Sequence, residues 1–254
     1  MSDILAHTEA GVTTLTLNRL ARKNSLTADM YAALAEALAS AAEDAAVRVL
    51  VIQGHETVFS AGNDIGDFLQ QPPKDADAPV FRFLRGISTF PKPLVAAVCG
   101  PAVGIGTTLL LHCDLIYAGD NAIFSMPFVN LGLCPEAASS LLVPRLIGHP
   151  RAAEVLLLGD PFSAESAMDW GLVNRIVPPT EAAALAQQQA RRLASKPLSS
   201  LLETKRLMKH SQQALIAQSM QQEAASFGRM LTEPAAREAF TAFMQKRKPD
   251  FSQC

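Results

Sequence analysis

The chain has 254 residues, 49% of them hydrophobic and 18% charged, with a formal net charge of −2. This balance is typical of a globular protein with ample core, and the lack of a basic stripe argues against nucleic acid as a main partner. No uninterrupted apolar run reaches the roughly 18 residues of a membrane span, and residues 1–10 lack the basic start and apolar centre of a signal peptide. We therefore expect a soluble, cytoplasmic protein.

Four cysteines, at positions 99, 113, 134 and 254, show no Cys-x-x-Cys spacing and lie mostly in apolar runs. Such cysteines are typical of reduced core thiols, so neither a disulfide nor a metal site is expected. His112 lacks a partner ligand at metal-binding spacing, which favours a hydrogen-bonded core histidine.

The N-terminal part of the chain predicts two strands with a helix between them. Residues 12–18 alternate in strand fashion, and residues 47–53 form a nearly continuous apolar run, as in a sheet covered on both faces. Thr27 is a candidate cap for a helix carrying Met30, Leu34 and Leu38 at spacings of four.

A basic turn at residues 19–25 places three cations beside the end of the first predicted strand. These cations either hold an anionic ligand or are ordinary solvated loop charges, and the sequence favours neither reading.

Small residues follow the second predicted strand at residues 58–66. Gly62 brings the backbone near the surface with free amides, so Asn63 N–H is a candidate donor to a ligand. Asp64 is better explained as a turn or cap residue.

The chain is organised around residues 92–114. They predict a buried strand over 92–99, a tight turn with glycines at 100, 104 and 106, and a buried helix from Thr107. The first amides of a helix lack internal acceptors and lie at the positive end of its dipole. Ile105 N–H is therefore a second candidate donor.

Glu136 is the only acid between Asp120 and Glu154, and Leu133 and Pro135 lie beside it. A carboxylate in apolar surroundings loses solvation, and the resulting rise in its pKa suits a proton carrier at neutral pH. The alternative is an ordinary acid in the first turn of a helix after Pro135.

The remaining pattern predicts strands at 114–119, 122–125 and 172–177, helices at 151–159 and 163–171, and only helix from residue 180. Breaks at Pro197, Gly228 and Pro234 divide that last region into segments of roughly 12 to 20 residues. Its apolar residues pack either against another subunit or within the same one: Phe227, Met230, Leu231, Phe240 and Phe243.

Three common site motifs are not supported. A dinucleotide fingerprint would need its third glycine at Leu109, no Gly-Lys-Ser/Thr follows Gly100, and no Gly-x-Ser-x-Gly elbow occurs.

Several segments together resemble the crotonase (enoyl-CoA hydratase/isomerase) superfamily across almost the whole chain. They are residues 22–26, 59–65, 92–106, 113–114 and 164–172, in the order found in that family. The resemblance implies an α/β fold, a spiral of repeated strand-strand-helix units over residues 1–195. It also implies a C-terminal helical trimerisation region over residues 196–254, which contributes part of the coenzyme A site.

The resemblance further implies an acyl-CoA thioester as ligand, no separate cofactor, and a homotrimer or a dimer of trimers. By position, Asn63 N–H and Ile105 N–H become an oxyanion hole and Glu136 the catalytic acid/base. The implied substrate-binding residues are Lys23, Asn24, Leu26, Ala61, Gly62, Asp64, Ile65, Gly104, Phe128, Leu133 and Lys246.

The departures from the family pattern bear on the chemistry. Family hydratases carry two glutamates, and the corresponding positions here hold Thr108 and Phe128. Neither side chain moves a proton, whereas hydration needs one group to activate water and another to protonate carbon. The segment around Glu136 resembles that of the Δ3,Δ2-enoyl-CoA isomerases, in which a single acid is the base.

The leading hypothesis is therefore a Δ3,Δ2-enoyl-CoA isomerase. The alternatives are other enolate chemistry of the family, such as ring acyl-CoA isomerisation or weak hydration, and an acyl-CoA-binding protein without catalysis.

Overall fold

Nine strands and ten α-helices alternate along the described residues, 2–73, 75 and 77–254, of a computed structural model. The strands are β1 (Ile4–Glu9), β2 (Val12–Leu17), β3 (Val49–Gln53), β4 (Leu94–Val98), β5 (Pro101–Val103), β6 (Leu115–Gly119), β7 (Ile123–Ser125), β8 (Phe162–Ser163) and β9 (Arg175–Val177). The helices are α1 (Ala28–Glu43), α2 (Ile65–Gln70), α3 (Pro79–Thr89), α4 (Ile105–Thr108), α5 (Ser139–Ile147), α6 (His149–Ala153), α7 (Ala164–Asp169), α8 (Pro179–Ala194), α9 (Leu198–Met230) and α10 (Pro234–Met244).

Six strands form the main sheet in the order β1-β2-β3-β4-β6-β9, with β1 antiparallel to β2 and the other neighbours parallel. Both faces of this sheet are covered. Val49, Val51 and Val95 pack against Ala186 and Ala190 of α8 on one face. The other face joins the large core that contains α1 and α3. This double cover explains why β3 and β4 are continuous apolar runs.

A second sheet of three strands, in the order β5-β7-β8, lies beside the first. The chain passes from β4 to β5 and on to α4, and later from β6 to β7 and on to α5. Each passage is one strand in the main sheet, one in the small sheet, and a helix. The predicted spiral of strand-strand-helix units is therefore confirmed, but the predicted tight turn at 100–106 contains β5.

The predicted helix boundaries were right where local chemistry decides them. The Thr27 hydroxyl caps α1 by accepting the Met30 N–H over 3.3 Å, as the sequence predicts. Gly228, in contrast, does not end a helix, because α9 continues through it to Met230. The sequence patterns also missed β1, β8, α2 and α5.

The C-terminal helices α9 and α10 fold back onto the core of their own chain. Ala236 and Phe240 are buried in it, and Phe227, Met230 and Leu231 pack partly against it. Packing within the same subunit is therefore confirmed for these residues, whereas the Phe243 side chain is 58% exposed.

Buried charges also anchor α9. Lys205 Nζ bonds to Asp114 Oδ2 over 2.6 Å and to the carbonyl of Lys92 over 2.7 Å.

Within the described residues, no helix combines the length and apolar character that crossing a bilayer demands.

Candidate active site

The turn after β3 and the turn after β5 pack directly against each other. Val103 N–H donates to the carbonyl of Ser60 over 2.9 Å. Gly62 has φ +87°, and a Cβ built on it would lie 3.0 Å from the carbonyl oxygen of Val103. Glycine is thus required for this approach, since other residues disfavour the angle and lack the space. The two predicted donor residues, Asn63 and Ile105, follow immediately after the contact.

Both candidate amides lack an acceptor among the described residues. Leu26 N–H donates to Gly62 O and Asp64 N–H donates to Leu26 O, each over 2.8 Å, which turns Asn63 N–H away from Leu26. Ile105 is the first residue of α4, where an N–H has no partner within the helix. Both amides are therefore available to a ligand oxygen.

Asn24 supports these turns from inside the protein. Its side chain is fully buried, accepts the Arg19 N–H over 2.8 Å and donates to the carbonyl of Phe59 over 3.1 Å. The sequence predicted a substrate contact for Asn24, but the side chain is already occupied by the protein. Asn24 thus holds the turns of the site in place, and a ligand contact of Asn24 stays a prediction.

Asp64 caps α2 by accepting the Asp67 N–H over 3.1 Å, and it bonds to Arg19 over 2.7 Å. The cap reading of Asp64 is confirmed, and its carboxylate is taken up by protein groups. Arg19 is consequently a structural cation, whereas Arg22 and Lys23 of the same basic turn are exposed.

Glu136 lies in the loop before α5 and is 8% exposed. Thr108 Oγ1, in the last residue of α4, donates to Glu136 Oε1 over 3.4 Å. Burial raises the pKa of Glu136 to about 7, the Glu223 carboxylate adds to the rise, and the Thr108 hydrogen bond opposes it. A carboxyl group with this pKa takes up and releases protons at neutral pH.

The backbone after Glu136 has an unusual shape. Ala137 and Ala138 both have positive φ, 59° and 58°, where residues with a Cβ are strained. His112 Nε2 bonds to the carbonyl of Ala137 over 2.8 Å, and burial lowers the pKa of His112 to about 4. The imidazole is therefore neutral and donates Nε2–H, so the predicted role of His112 as a hydrogen-bonded core residue is confirmed.

Apolar side chains surround the Glu136 loop and the turn before α4. Phe128 and Leu133, two predicted site residues, are buried, as is Met126. A Cβ built on Gly104 would lie 4.0 Å from Cε1 of Phe128, so this ring borders the turn that carries Ile105. Such walls keep water away and strengthen electrostatic interactions.

Sequence patterns did not single out Tyr31, which is a buried residue of α1. Its hydroxyl donates a short hydrogen bond to the side chain of Asn63, and its ring borders a cleft with Leu26, Phe68 and Val80. Burial, with a contribution from Glu136, raises the pKa of Tyr31 well above its usual value. Tyr31 therefore lies close to both halves of the candidate site.

The other predicted binding residues differ in accessibility. Lys23 is exposed, and its carbonyl accepts the Ala61 N–H over 2.9 Å. Ala61 and Ile65 are half-buried, and Leu26 is buried. Lys246 is exposed just beyond the end of α10. Ligand contacts of these side chains remain predictions.

The sequence model of the Enoyl-CoA hydratase/isomerase family matches residues 7–254. The chain belongs to this crotonase family. It is 37% identical over 260 residues to 1,2-epoxyphenylacetyl-CoA isomerase of Escherichia coli (strain K12), with 99% of each protein covered. It is 41% identical over 181 residues to enoyl-CoA delta isomerase 2 of Rattus norvegicus, covering 69% of this chain and 46% of that protein. Relatives at 32% identity bear hydratase names. Among them are 2,3-dehydroadipyl-CoA hydratase of Escherichia coli (strain K12), with 99% of each protein covered, and crotonyl-CoA hydratase of Syntrophomonas wolfei, covering 98% of this chain and 97% of that protein.

The fold agrees with solved structures of the family. The structure of Pseudomonas aeruginosa OdaA superposes with a TM-score of 0.94 at 48% identity, covering 96% of this chain and 99% of that one. Family membership makes the protein an enoyl-CoA hydratase or isomerase type of enzyme, consistent with an acyl-CoA thioester substrate.

Proposed function

We propose that this family member is a Δ3,Δ2-enoyl-CoA isomerase with Glu136 as its single acid/base. The observation that carries the proposal is the hydrogen bond between Thr108 and Glu136. It puts a carboxyl group with a raised pKa against α4, one helical turn after the free amide of Ile105. A base and an oxyanion donor thus belong to one small region.

In the proposed reaction, a 3-enoyl-CoA binds with its thioester oxygen accepting from Asn63 N–H and Ile105 N–H. The Glu136 carboxylate takes a proton from C2, and the electron pair of that C–H bond makes a dienolate whose negative charge lies largely on the thioester oxygen. The protonated Glu136 then returns the proton to C4, leaving the double bond between C2 and C3. No proton is gained or lost overall, so one carboxyl group suffices.

The two amides and Glu136 contribute separately to the rate enhancement. An oxyanion-hole donor is typically worth about 10²- to 10³-fold, and a positioned acid or base about 10²- to 10⁴-fold. Hydration is less well supported, since Thr108 and Phe128 occupy the positions of the hydratase acids. No separate cofactor is needed, because coenzyme A is part of the substrate.

Different residues would bind the polar and the apolar parts of the thioester. Exposed Lys23 and Lys246 suit the phosphates of coenzyme A, and Ala61 and Ile65 would border its pantetheine arm. The acyl chain would lie against Phe128 and Leu133.

A homotrimer, or a dimer of trimers, is the proposed assembly. The apolar side chains that α9 and α10 leave uncovered support it: Leu207 is 60%, Met208 70% and Phe243 58% exposed.

A second candidate keeps the same acid and amides but takes a ring-containing acyl-CoA. The 37% identity to 1,2-epoxyphenylacetyl-CoA isomerase over nearly the full chain favours it. A panel of straight-chain and cyclic 3-enoyl thioesters, assayed for double-bond migration, distinguishes the two candidates by their kcat/KM values.

The decisive variant for both candidates is Glu136→Gln. Amide replaces carboxyl at nearly the same volume, so calorimetric binding of an acyl-CoA should stay within a few-fold while turnover falls at least about a hundredfold. The matched control is Glu36→Gln on the exposed surface of α1, which should keep wild-type turnover. Wild-type turnover by Glu136→Gln would show that Glu136 is not the base.

A further inference from the structure

A second buried carboxyl group, that of Glu223 in α9, lies directly behind the Glu136 loop. It is 7% exposed. Its Oε2 accepts the Ala138 N–H over 2.6 Å, and its Oε1 accepts the Ser140 N–H over 2.9 Å and the Ser140 hydroxyl over 2.5 Å. Among the described residues, no Lys, Arg or His side chain forms an ion pair with it.

The bond from Ala138 has a conformational consequence. Ala137 and Ala138 are held at positive φ, where residues with a Cβ are strained. Such a conformation persists only where surrounding contacts enforce it. The carbonyl of Ala137 is held by His112, and the amide of Ala138 by Glu223. These two contacts fix the turn from which Glu136 reaches Thr108.

Burial raises the pKa of Glu223, and its hydrogen bonds from Ser140 and Ala138 oppose that rise. Every protein group that bonds to its carboxyl oxygens is a donor, and each oxygen accepts an N–H. A protonated acid would lose or weaken one of these bonds, so the arrangement favours the carboxylate, against the cost of burial. When Glu223 is ionised, its negative charge disfavours ionisation of Glu136.

We propose that Glu223 is a positioning residue of the active site, which holds the Ala137–Ala138 turn and sets the basicity of Glu136 through its charge. The proposal rests on the isomerase function argued above, in which Glu136 removes a C2 proton. A more basic carboxylate is better matched to this weak carbon acid. Helix α9 thereby takes part in catalysis without touching the substrate.

Other titratable groups around this pair do not account for such an effect. Tyr31 of α1 and Cys134 of the same loop have pKa values raised by burial, and the pKa of His112 is about 4, so all three favour the neutral form near pH 7. Lys205, Lys209 and Arg229 are cations whose charges act on His112 or Cys134. Glu136 and Glu223 are therefore the two acids whose ionisation is coupled here.

Carboxyl ¹³C NMR titration tests the proposal without relying on turnover. The Glu136 resonance is identified by its absence in Glu136→Gln and is followed against pH in the wild type and in Glu223→Gln. Removing the like charge should lower the Glu136 pKa by about one unit, and the inflection of kcat/KM should move down with it. Glu203→Gln, an exposed acid on the same helix, is the matched control and should leave the Glu136 pKa unchanged.

Glu223→Asp separates charge from position. It keeps the negative charge but shortens the side chain, so the Glu136 pKa should stay within about half a unit while kcat falls about tenfold and KM changes little. This variant also keeps the proposal testable if Glu223→Gln fails to fold, as judged by circular dichroism. Wild-type kcat in Glu223→Asp would overturn the positioning role.

The two proposals fail in different ways. An unchanged Glu136 titration in folded Glu223→Gln would overturn the role of Glu223 even if Glu136→Gln is inactive. Full turnover by Glu136→Gln would overturn the isomerase mechanism, whereas the titration would still report whether Glu223 sets the Glu136 pKa.

Discussion

The hydroxyl of Thr108 donates to the carboxyl of Glu136 over 3.4 Å, although 28 residues separate them along the chain. By resemblance, position 108 is where family hydratases place one of their two glutamates. The carboxyl group of Glu136, from the loop before α5, thus lies against α4, which carries Thr108 at the position of that glutamate. A site with one acid is consistent with moving a proton within a substrate rather than adding water.

The pH dependence of turnover should follow the ionisation of Glu136. Its carboxylate is the proposed base, and its pKa is about 7. Activity therefore requires the deprotonated form and should rise with pH, reach half its maximum near pH 7, and level off above about pH 8. The measurement is kcat/KM for a 3-enoyl-CoA between pH 5.5 and 9. A nearly flat profile over this range, as expected if Glu136 had the ordinary glutamate value of 4.5, would contradict the role of burial.

Thr108→Val should raise the pKa of Glu136. The hydroxyl donates to the carboxylate and favours the charged form, so its loss favours the protonated form. A rise of about half a unit to one unit would lower kcat/KM at pH 7 by about twofold to sixfold and leave the plateau near pH 9 within about twofold.

The control for Thr108→Val is Thr241→Val in α10, which makes the same substitution at an exposed helical position. It should leave the pH profile unchanged. A uniform loss of activity at every pH in Thr108→Val would instead indicate a packing defect.

Local chemistry made much of this site predictable from the sequence. Thr27 caps α1 because its hydroxyl reaches an amide three residues away, and such a bond depends on little else. The burial of Glu136 was predictable because its neighbours along the chain are apolar. The donor turns were recognisable because Gly62 and Gly104 precede the amides by one residue.

Contacts between distant segments were not predictable in this way. Glu223 reaches Ala138 across 85 residues, and nothing near it in the sequence indicates a buried acid. Tyr31 occupies an apolar helix face, so its bond to Asn63 depends on how α1 packs. Gly228 was wrongly expected to end a helix. Phe227 and Met230, on either side of it, pack against the core and stabilise the helix through this position.

Gly62→Ala should separate the two donor turns. The added Cβ would lie 3.0 Å from the carbonyl oxygen of Val103, so one turn must shift and the Asn63 amide with it. Misplacing one oxyanion donor should lower kcat by about tenfold to a hundredfold. Steady-state kinetics with a 3-enoyl-CoA measure this loss.

Gly148→Ala is a matched control for Gly62→Ala. Its φ is +80°, close to the +87° of Gly62, but a Cβ there meets nothing within 4 Å. Gly148 has ψ 154°, a conformation that residues with a Cβ rarely adopt, so both variants should lose about 1 to 3 kcal/mol of unfolding free energy through backbone strain. Only Gly62→Ala should lose activity. Equal activity in the two variants would contradict the importance of the turn contact.

Glu136→Gln should change the pH dependence of stability as well as turnover. The folded-state pKa of Glu136, about 7, lies above its ordinary value of 4.5, so the folded protein retains a proton that the unfolded chain has released. Stability from this group is therefore greatest below pH 4.5 and is lost as the pH rises through 7, by about 3 kcal/mol in total. Glutamine has no such loss, so urea unfolding at a fixed protein concentration should show the variant gaining about 2 to 3 kcal/mol on the wild type between pH 4.5 and 8. A difference between the two proteins that does not vary with pH would mean that Glu136 ionises without cost, and the raised pKa would be wrong.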